Sequence, residues 1–210
     1  MTDPTIICPK RKGEIRLTES PAAALKDKLG AQKALKSLEA DRNRKRRELF
    51  DVQDAIDAQR DVRAPVIEKQ DIRKMLFSGF KKYLYRVQKF DSDSERRFAV
   101  VLENDPEVLK WFKPAKGDFQ IHYANDASYE PDFVVETKKE KCLCEPKSAV
   151  EMEDREVLAK AKAAAEWCGH ATKHERRNGG KPWTYLLIPH DVITDNKTLQ
   201  GLAASYSYRG

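Results

Sequence analysis

Tyr129-Glu130-Pro131-Asp132-Phe133-Val134-Val135 and, beyond a charged tip at Lys138 to Lys141, Cys142-Leu143-Cys144-Glu145-Pro146-Lys147 are the two stretches whose reading decides the fold. Each is a short apolar run rich in β-branched, aromatic or cysteine side chains and bounded by turn-forming or charged residues, which is the pattern of a strand. Side chains alternate faces along a strand, so Glu145 and Lys147 share one side and Cys142 and Cys144 the other. Paired as a hairpin, the two strands bring Asp132 beside Glu145. Two carboxylates and a lysine then converge at one edge of a sheet.

Working outward, Phe119 to Tyr123 alternates apolar and polar and reads as a first strand, with turn chemistry at Asn125 to Ser128. Glu107 to Trp111 reads as a short helical turn. Before it, Asp91, Ser92 or Ser94 can cap a helix through Glu95 to Glu103, closed by Asp105-Pro106. After the third strand, an alanine- and lysine-rich helix is expected from about Met152 to Trp167. Gly179-Gly180 breaks the chain, and Trp183 to Ile188 is a final buried strand ended by Pro189. The order helix, three strands, helix, strand defines an α/β layer structure. Trp111 and Trp183 read as core or rim.

Upstream, residues 1–20 carry Pro4, Pro9 and Gly13 and show no periodicity, so they read as a flexible lead. Residues 21–63 read as a helical extension. Leu35, Leu38, Leu49, Val52 and Ile56 fall on one heptad seam, interrupted by Arg42 and Lys45. The run Asp41 to Arg47 is DRNRKRR, and Arg44, Lys45 and Arg46 are candidate phosphate contacts. A bend near Gly30, making a helical hairpin, is the alternative to one long helix. Ala64-Pro65 ends the segment, and the compact domain is expected over 75–205.

The 210 residues carry a net charge of +6, which favours an anionic partner such as nucleic acid. No apolar run approaches the ~18 residues that a membrane span needs, and no apolar leader marks a secreted chain. Four cysteines are too few for a disulfide scaffold, which makes the cytoplasm the expected setting. Cys142, Cys144, Cys168 and His170 have a loose spacing for a structural zinc site, and plain buried cysteines are the expected reading beside it.

Two carboxylates and a lysine at one sheet edge suit phosphodiester hydrolysis. Carboxylates hold a hard divalent cation, and a lysine stabilises the negative charge that develops on the attacked phosphate. Glu95 could supply a third carboxylate. Lys160 and Lys162 on the later helix could approach a DNA backbone.

The string from Glu95 to Glu136, ERRFAVVLENDPEVLKWFKPAKGDFQIHYANDASYEPDFVVE, followed by CLCEPK at 142–147, resembles the C-terminal endonuclease region of the restriction subunit of type III restriction enzymes, within the PD-(D/E)XK nuclease superfamily. The resemblance runs roughly from Phe77 to Ile193 and includes the lysine-rich helix and Lys181-Pro182-Trp183-Thr184-Tyr185. It implies a restriction-endonuclease-like core, a small mixed sheet flanked by helices with the order α-β-β-β-α-β, carrying an N-terminal long-helix extension. It also implies cleavage of double-stranded DNA with Mg²⁺, or Mn²⁺ as a substitute. Asp132 and Glu145 take the places of the metal ligands, Lys147 that of the catalytic lysine and Glu95 that of the helix carboxylate. Pro146 departs from the pattern, because the position between the Glu and the Lys usually holds a small or apolar residue other than proline. That leaves open a catalytically inactive DNA-binding or assembly module. Arg46 to Asp61 resembles a helical stretch that follows the motor of some Swi/Snf-like helicases of defence systems, while no GxxxxGK[ST] loop is present. A separate helicase or translocase subunit is therefore the expected partner, and a homodimer is one way to supply two active sites for cutting both strands.

Overall fold

The computed structural model describes residues 5–7, 14–16, 21–67, 69–124 and 127–209. In chain order the elements are β1 (Thr5–Ile7), β2 (Glu14–Arg16), α1 (Pro21–Asp57), β3 (Arg60–Asp61), β4 (Phe77–Ser78), α2 (Asp93–Asn104), β5 (Val108–Phe112), β6 (Ile121–Ala124), β7 (Ala127–Tyr129), β8 (Phe133–Thr137), β9 (Lys141–Lys147), α3 (Arg155–Arg177), β10 (Trp183–Pro189) and α4 (Leu199–Tyr206). The chain divides into two compact units, 1–54 and 55–210.

In the first unit β1 and β2 pair antiparallel, Ile6 opposite Ile15. The reading of 1–20 as a flexible lead missed this ladder; the rest of that segment lies outside the described residues. Helix α1 runs without a break through Gly30, so the hairpin alternative is set aside. Leu35, Leu38, Leu49, Val52 and Ile56 are all exposed.

The second unit begins earlier than residue 75. Val62, Val66 and Ile72 are buried in its core, and β3 pairs with β4. Three separated aliphatic residues among charges carry no periodic signal, which is why the sequence hid this boundary.

A four-stranded mixed sheet organises this unit, in the order β10-β9-β8-β5. Hairpin β8–β9 pairs Phe133 with Cys144, Val134 with Leu143, Val135 with Cys142 and Glu136 with Lys141. Its tip is tied by Thr137, whose Oγ1 accepts from Glu140 N at 2.9 Å and Lys139 N at 3.2 Å. Strand β10 lies parallel to β9, and β5 antiparallel to β8.

The alternation of β8, β9 and β10 buries both faces. Phe133, Val135, Cys142, Cys144, Leu186 and Ile188 face a core that includes Phe98, Val101 and Leu102 of α2. Val134, Leu143, Tyr185 and Leu187 face Ala161, Ala164 and Cys168 of α3, together with Ile121 and Tyr129. Helix α2 starts at Ser92, whose Oγ accepts from Glu95 N at 3.2 Å. Helix α3 starts at Asp154, whose side chain caps Glu156 N and Val157 N, and it runs ten residues past the expected Trp167 to Arg177. The chain leaves α3 through Gly179 at φ 71°, a left-handed conformation that glycine adopts without strain. Helix α4 was not foreseen.

The strand assignments need one correction. The first strand of the meander is β5, expected as a helical turn; Phe119 to Tyr123 instead contributes β6, which pairs with β7 in a separate two-stranded sheet. Val-Leu-Lys-Trp-Phe is too short for its period to separate helix from strand. Its partners settle the matter: β8 on one side and, on the other, the bonds Leu84 N to Trp111 O at 3.0 Å and Trp111 N to Lys82 O at 3.1 Å. The expected second strand is likewise split, because Pro131-Asp132 separates β7 from β8.

One buried carboxylate locks this edge. Glu103, its side chain fully buried, accepts from Lys81 N at 2.7 Å, from Lys82 N and Tyr83 N at 3.0 Å and from Trp111 Nε1 at 2.8 Å. Losing the acceptor leaves several buried N–H groups unsatisfied. Glu103→Ala is expected to cost about 3 kcal/mol or more, read as a lower urea midpoint with little change of slope. A midpoint within experimental error of the wild type would contradict this role.

Candidate functional site

The last β8–β9 pair is Phe133 with Cys144. One step further along each strand stand Asp132 and Glu145, so the register makes them neighbours. Lys147, two residues past Glu145, returns to the same side. Its Nζ lies 3.0 Å from Glu145 Oε1 and 3.7 Å from Asp132 Oδ2. The three residues expected at the centre are therefore together.

Pro146 also finds its explanation in this register. It pairs with Ile188 of β10, but the ladder to β8 has already ended at Cys144. A strand proline is tolerated where one side has no partner needing its N–H. Lys147 continues the strand beyond it.

Two further residues enter the site. Tyr185, on the same face of β10 as Leu187, donates its hydroxyl to Glu145 Oε2 at 3.0 Å. Lys113, just past the end of β5, places Nζ 3.9 Å from Asp132 Oδ1, 3.0 Å from Glu95 Oε2 and 3.3 Å from Asp91 Oδ2. Glu95, in the first turn of α2, thus reaches Asp132 through Lys113. The sequence places Tyr185 in a buried strand, and only the alternation of β10 marks its face. Lys113 carried no signal, since its placement requires β5 to be a strand.

The site is electrostatically strained towards negative charge. Among the described residues, Asp91, Glu95, Asp132 and Glu145 face two ammoniums, those of Lys113 and Lys147. Burial, and then the charge of Glu145, push the Asp132 carboxyl up to about 6, against the pull of Lys147 and Lys113. Burial and the charge of Asp132 likewise raise Glu95, against Lys113. Burial works against both ammoniums, but Asp132 with Glu95 outweighs it at Lys113, and Asp132 with Glu145 outweighs it at Lys147, so both lysines are held charged. Burial and then the adjacent Glu145 also raise the Tyr185 hydroxyl, keeping it a donor.

The donor set fits a hard divalent ion. All the acids offer oxygen, and four carboxylates against two ammoniums leave a formal charge of minus two, which one such ion would neutralise. Among the described residues no three acidic, histidine or cysteine side chains form a metal-holding group. The usable ligands are the pair Asp132 and Glu145, which suits magnesium's habit of taking one or two carboxylates and filling its other positions with water and phosphate. Asp132 and Lys147 keep 21% and 25% of their side-chain surface open, and Glu145 keeps 5%.

The other candidates are carried by α1 and α3. Lys160 on α3 pairs with Glu156 at 2.6 Å and sits over the Tyr123 and Tyr129 rings, 5.2 and 5.8 Å from their centroids. Lys162 is exposed on the same helix. Arg44, Lys45 and Arg46 are exposed on α1 in the first unit, with Arg44 3.0 Å from Asp41 and 3.9 Å from Glu48. Cys142 and Cys144 face the α2 side of the sheet and Cys168 the α3 side, so these cysteines do not converge. Among the described residues no helix is long and apolar enough to cross a membrane. No protein-family model matches the chain, and no curated protein matches it either.

The raised Asp132 carboxyl has a consequence for stability. A carboxyl at about 6 in the folded chain and at its ordinary 3.8 when unfolded favours the protonated fold. Its contribution is full below the unfolded value and is lost as pH rises through the folded one. At pH 7 to 8 without metal, Asp132→Asn is therefore expected to stabilise the protein by about 1–3 kcal/mol, the gain vanishing near pH 4. Thermal unfolding in a chelator across this range checks it; a destabilised variant at neutral pH would refute it.

Proposed function

We propose that this chain is a metal-dependent endonuclease that hydrolyses DNA phosphodiester bonds, built on the restriction-endonuclease-like fold of the PD-(D/E)XK superfamily. The observation that carries the reading is the meeting of Asp132, Glu145 and Lys147 at the end of the β8–β9 hairpin, with both acids within 3.7 Å of the lysine. The order of the core supports it: a helix, three antiparallel strands, a helix, and a strand parallel to the third.

Asp132 and Glu145 would hold Mg²⁺, or Mn²⁺ in its place. The ion would supply Lewis-acid polarisation of a phosphoryl oxygen and acidify a water. Lys147, fixed by its two acids, places a positive charge where the attacked phosphate gains negative charge. Tyr185 holds Glu145 by its outer oxygen, fixing the direction of the other. The net charge of +6 favours the polyanionic substrate, with Arg44, Lys45, Arg46, Lys160 and Lys162 as candidate backbone contacts. The exposed seam of α1 suits docking to a separate helicase or translocase motor in a restriction or phage-defence system.

Pro146 favours one other reading, a DNA-binding or assembly module that keeps the fold without cutting. Supercoiled plasmid with Mg²⁺ or Mn²⁺ separates the two. The wild type should nick or linearise it; Asp132→Ala and Glu145→Ala should be inactive, and Lys147→Ala slower by about 10²–10³-fold. A wild type that shifts plasmid mobility by binding, yet neither cuts it nor takes up metal, would leave only the module.

A further inference from the structure

Three carboxylates surround one ammonium beside the proposed metal position. Asp91 precedes α2, Glu95 lies in its first turn and Asp132 precedes β8, and all three lie within 3.9 Å of Lys113 Nζ. Hard oxygens are also what a divalent cation takes, and with the ammonium between them these three do not close into a metal-holding group. Here a lysine fills the cage, delivered from the end of β5 on a stem with 12% of its side chain open and with the Phe133 ring 5.9 Å below the ammonium.

Asp132 is the hinge between the two cation positions. Its Oδ1 turns to Lys113 at 3.9 Å and its Oδ2 to Lys147 at 3.7 Å, the lysine shared with Glu145. A carboxylate that offers one oxygen to each of two adjacent cations is the arrangement of a two-metal site, in which the ions stand about 3.5–4 Å apart. In this chain the outer position is already taken by a covalently attached charge.

We propose that Lys113 is a built-in replacement for a second metal ion. It pairs with Asp91 and Glu95, holds Asp132 by one oxygen and so limits the site to a single divalent ion between Asp132 and Glu145. Lys113 acts through Asp132 and not on the reacting atoms, so it is a positioning residue. Glu95 is correspondingly a partner of Lys113 and stands outside the coordination sphere. The inference rests on the nuclease reading for where the first ion sits.

Its test counts ions instead of turnover. The full chain, stripped of metal, is titrated with Mn²⁺ without DNA, and bound ion is measured by electron paramagnetic resonance. The wild type and Lys113→Arg should bind one ion. Lys113→Met and Lys113→Gln, which remove the positive charge from the cage, should bind two, the pair showing spin coupling. Two ions in the wild type, or one ion in both neutral variants with wild-type circular dichroism, would overturn the proposal. The wild-type count needs no variant to fold. A chain that gains the second ion as expected but cuts no DNA removes the nuclease reading and leaves the role of Lys113; a chain that cuts DNA but gains no second ion on losing that charge does the reverse.

Discussion

Asp132 stands next to Glu145 because Phe133 is hydrogen-bonded opposite Cys144, and nearly everything at the site follows from that register. A slip of one residue would turn every side chain of a strand to the opposite face. Here both faces are buried, one against α2 and one against α3, so a slip would drive Glu136 or Glu145 into an apolar layer. Core burial thus holds Asp132 and Glu145 side by side. The acids need no separate device to bring them together.

That geometry stores electrostatic energy. Asp132 and Glu145 sit close enough, and deep enough, to raise the Asp132 carboxyl, and the two lysines relieve only part of the repulsion. A site of this kind gains most from a species carrying two positive charges and open coordination positions. The same imbalance explains why Lys113 and Lys147 stay charged despite burial. Tyr185 completes the arrangement from β10, so each of the four strands either carries a site side chain or ends next to one.

The edge of the sheet has its own anchor. Glu103, at the far end of α2, gathers backbone donors of Lys81, Lys82 and Tyr83 and the indole of Trp111. It thereby fixes β5, and with it Lys113 two residues beyond Trp111. The structural carboxylate at one end of α2 and the site carboxylate Glu95 at the other bracket the strand that carries the additional lysine.

The hairpin, its acids and its lysine could be read directly from the residues, because strand alternation is local: Glu145 and Lys147 must share a face whatever else the chain does. The capped start of α2, the break after α3 and the final buried strand were local in the same sense. Strand β5 was not, since a five-residue apolar run has no period of its own and becomes a strand only when β8 and the Lys82–Leu84 segment supply partners. Lys113, Tyr185 and the one-sided pairing of Pro146 depend on that assembly of distant segments. Short-range pattern thus names the three central residues, whereas the placing of Lys113 beside them and the tolerance of the proline come from contacts between residues far apart in the chain, which no local spacing encodes.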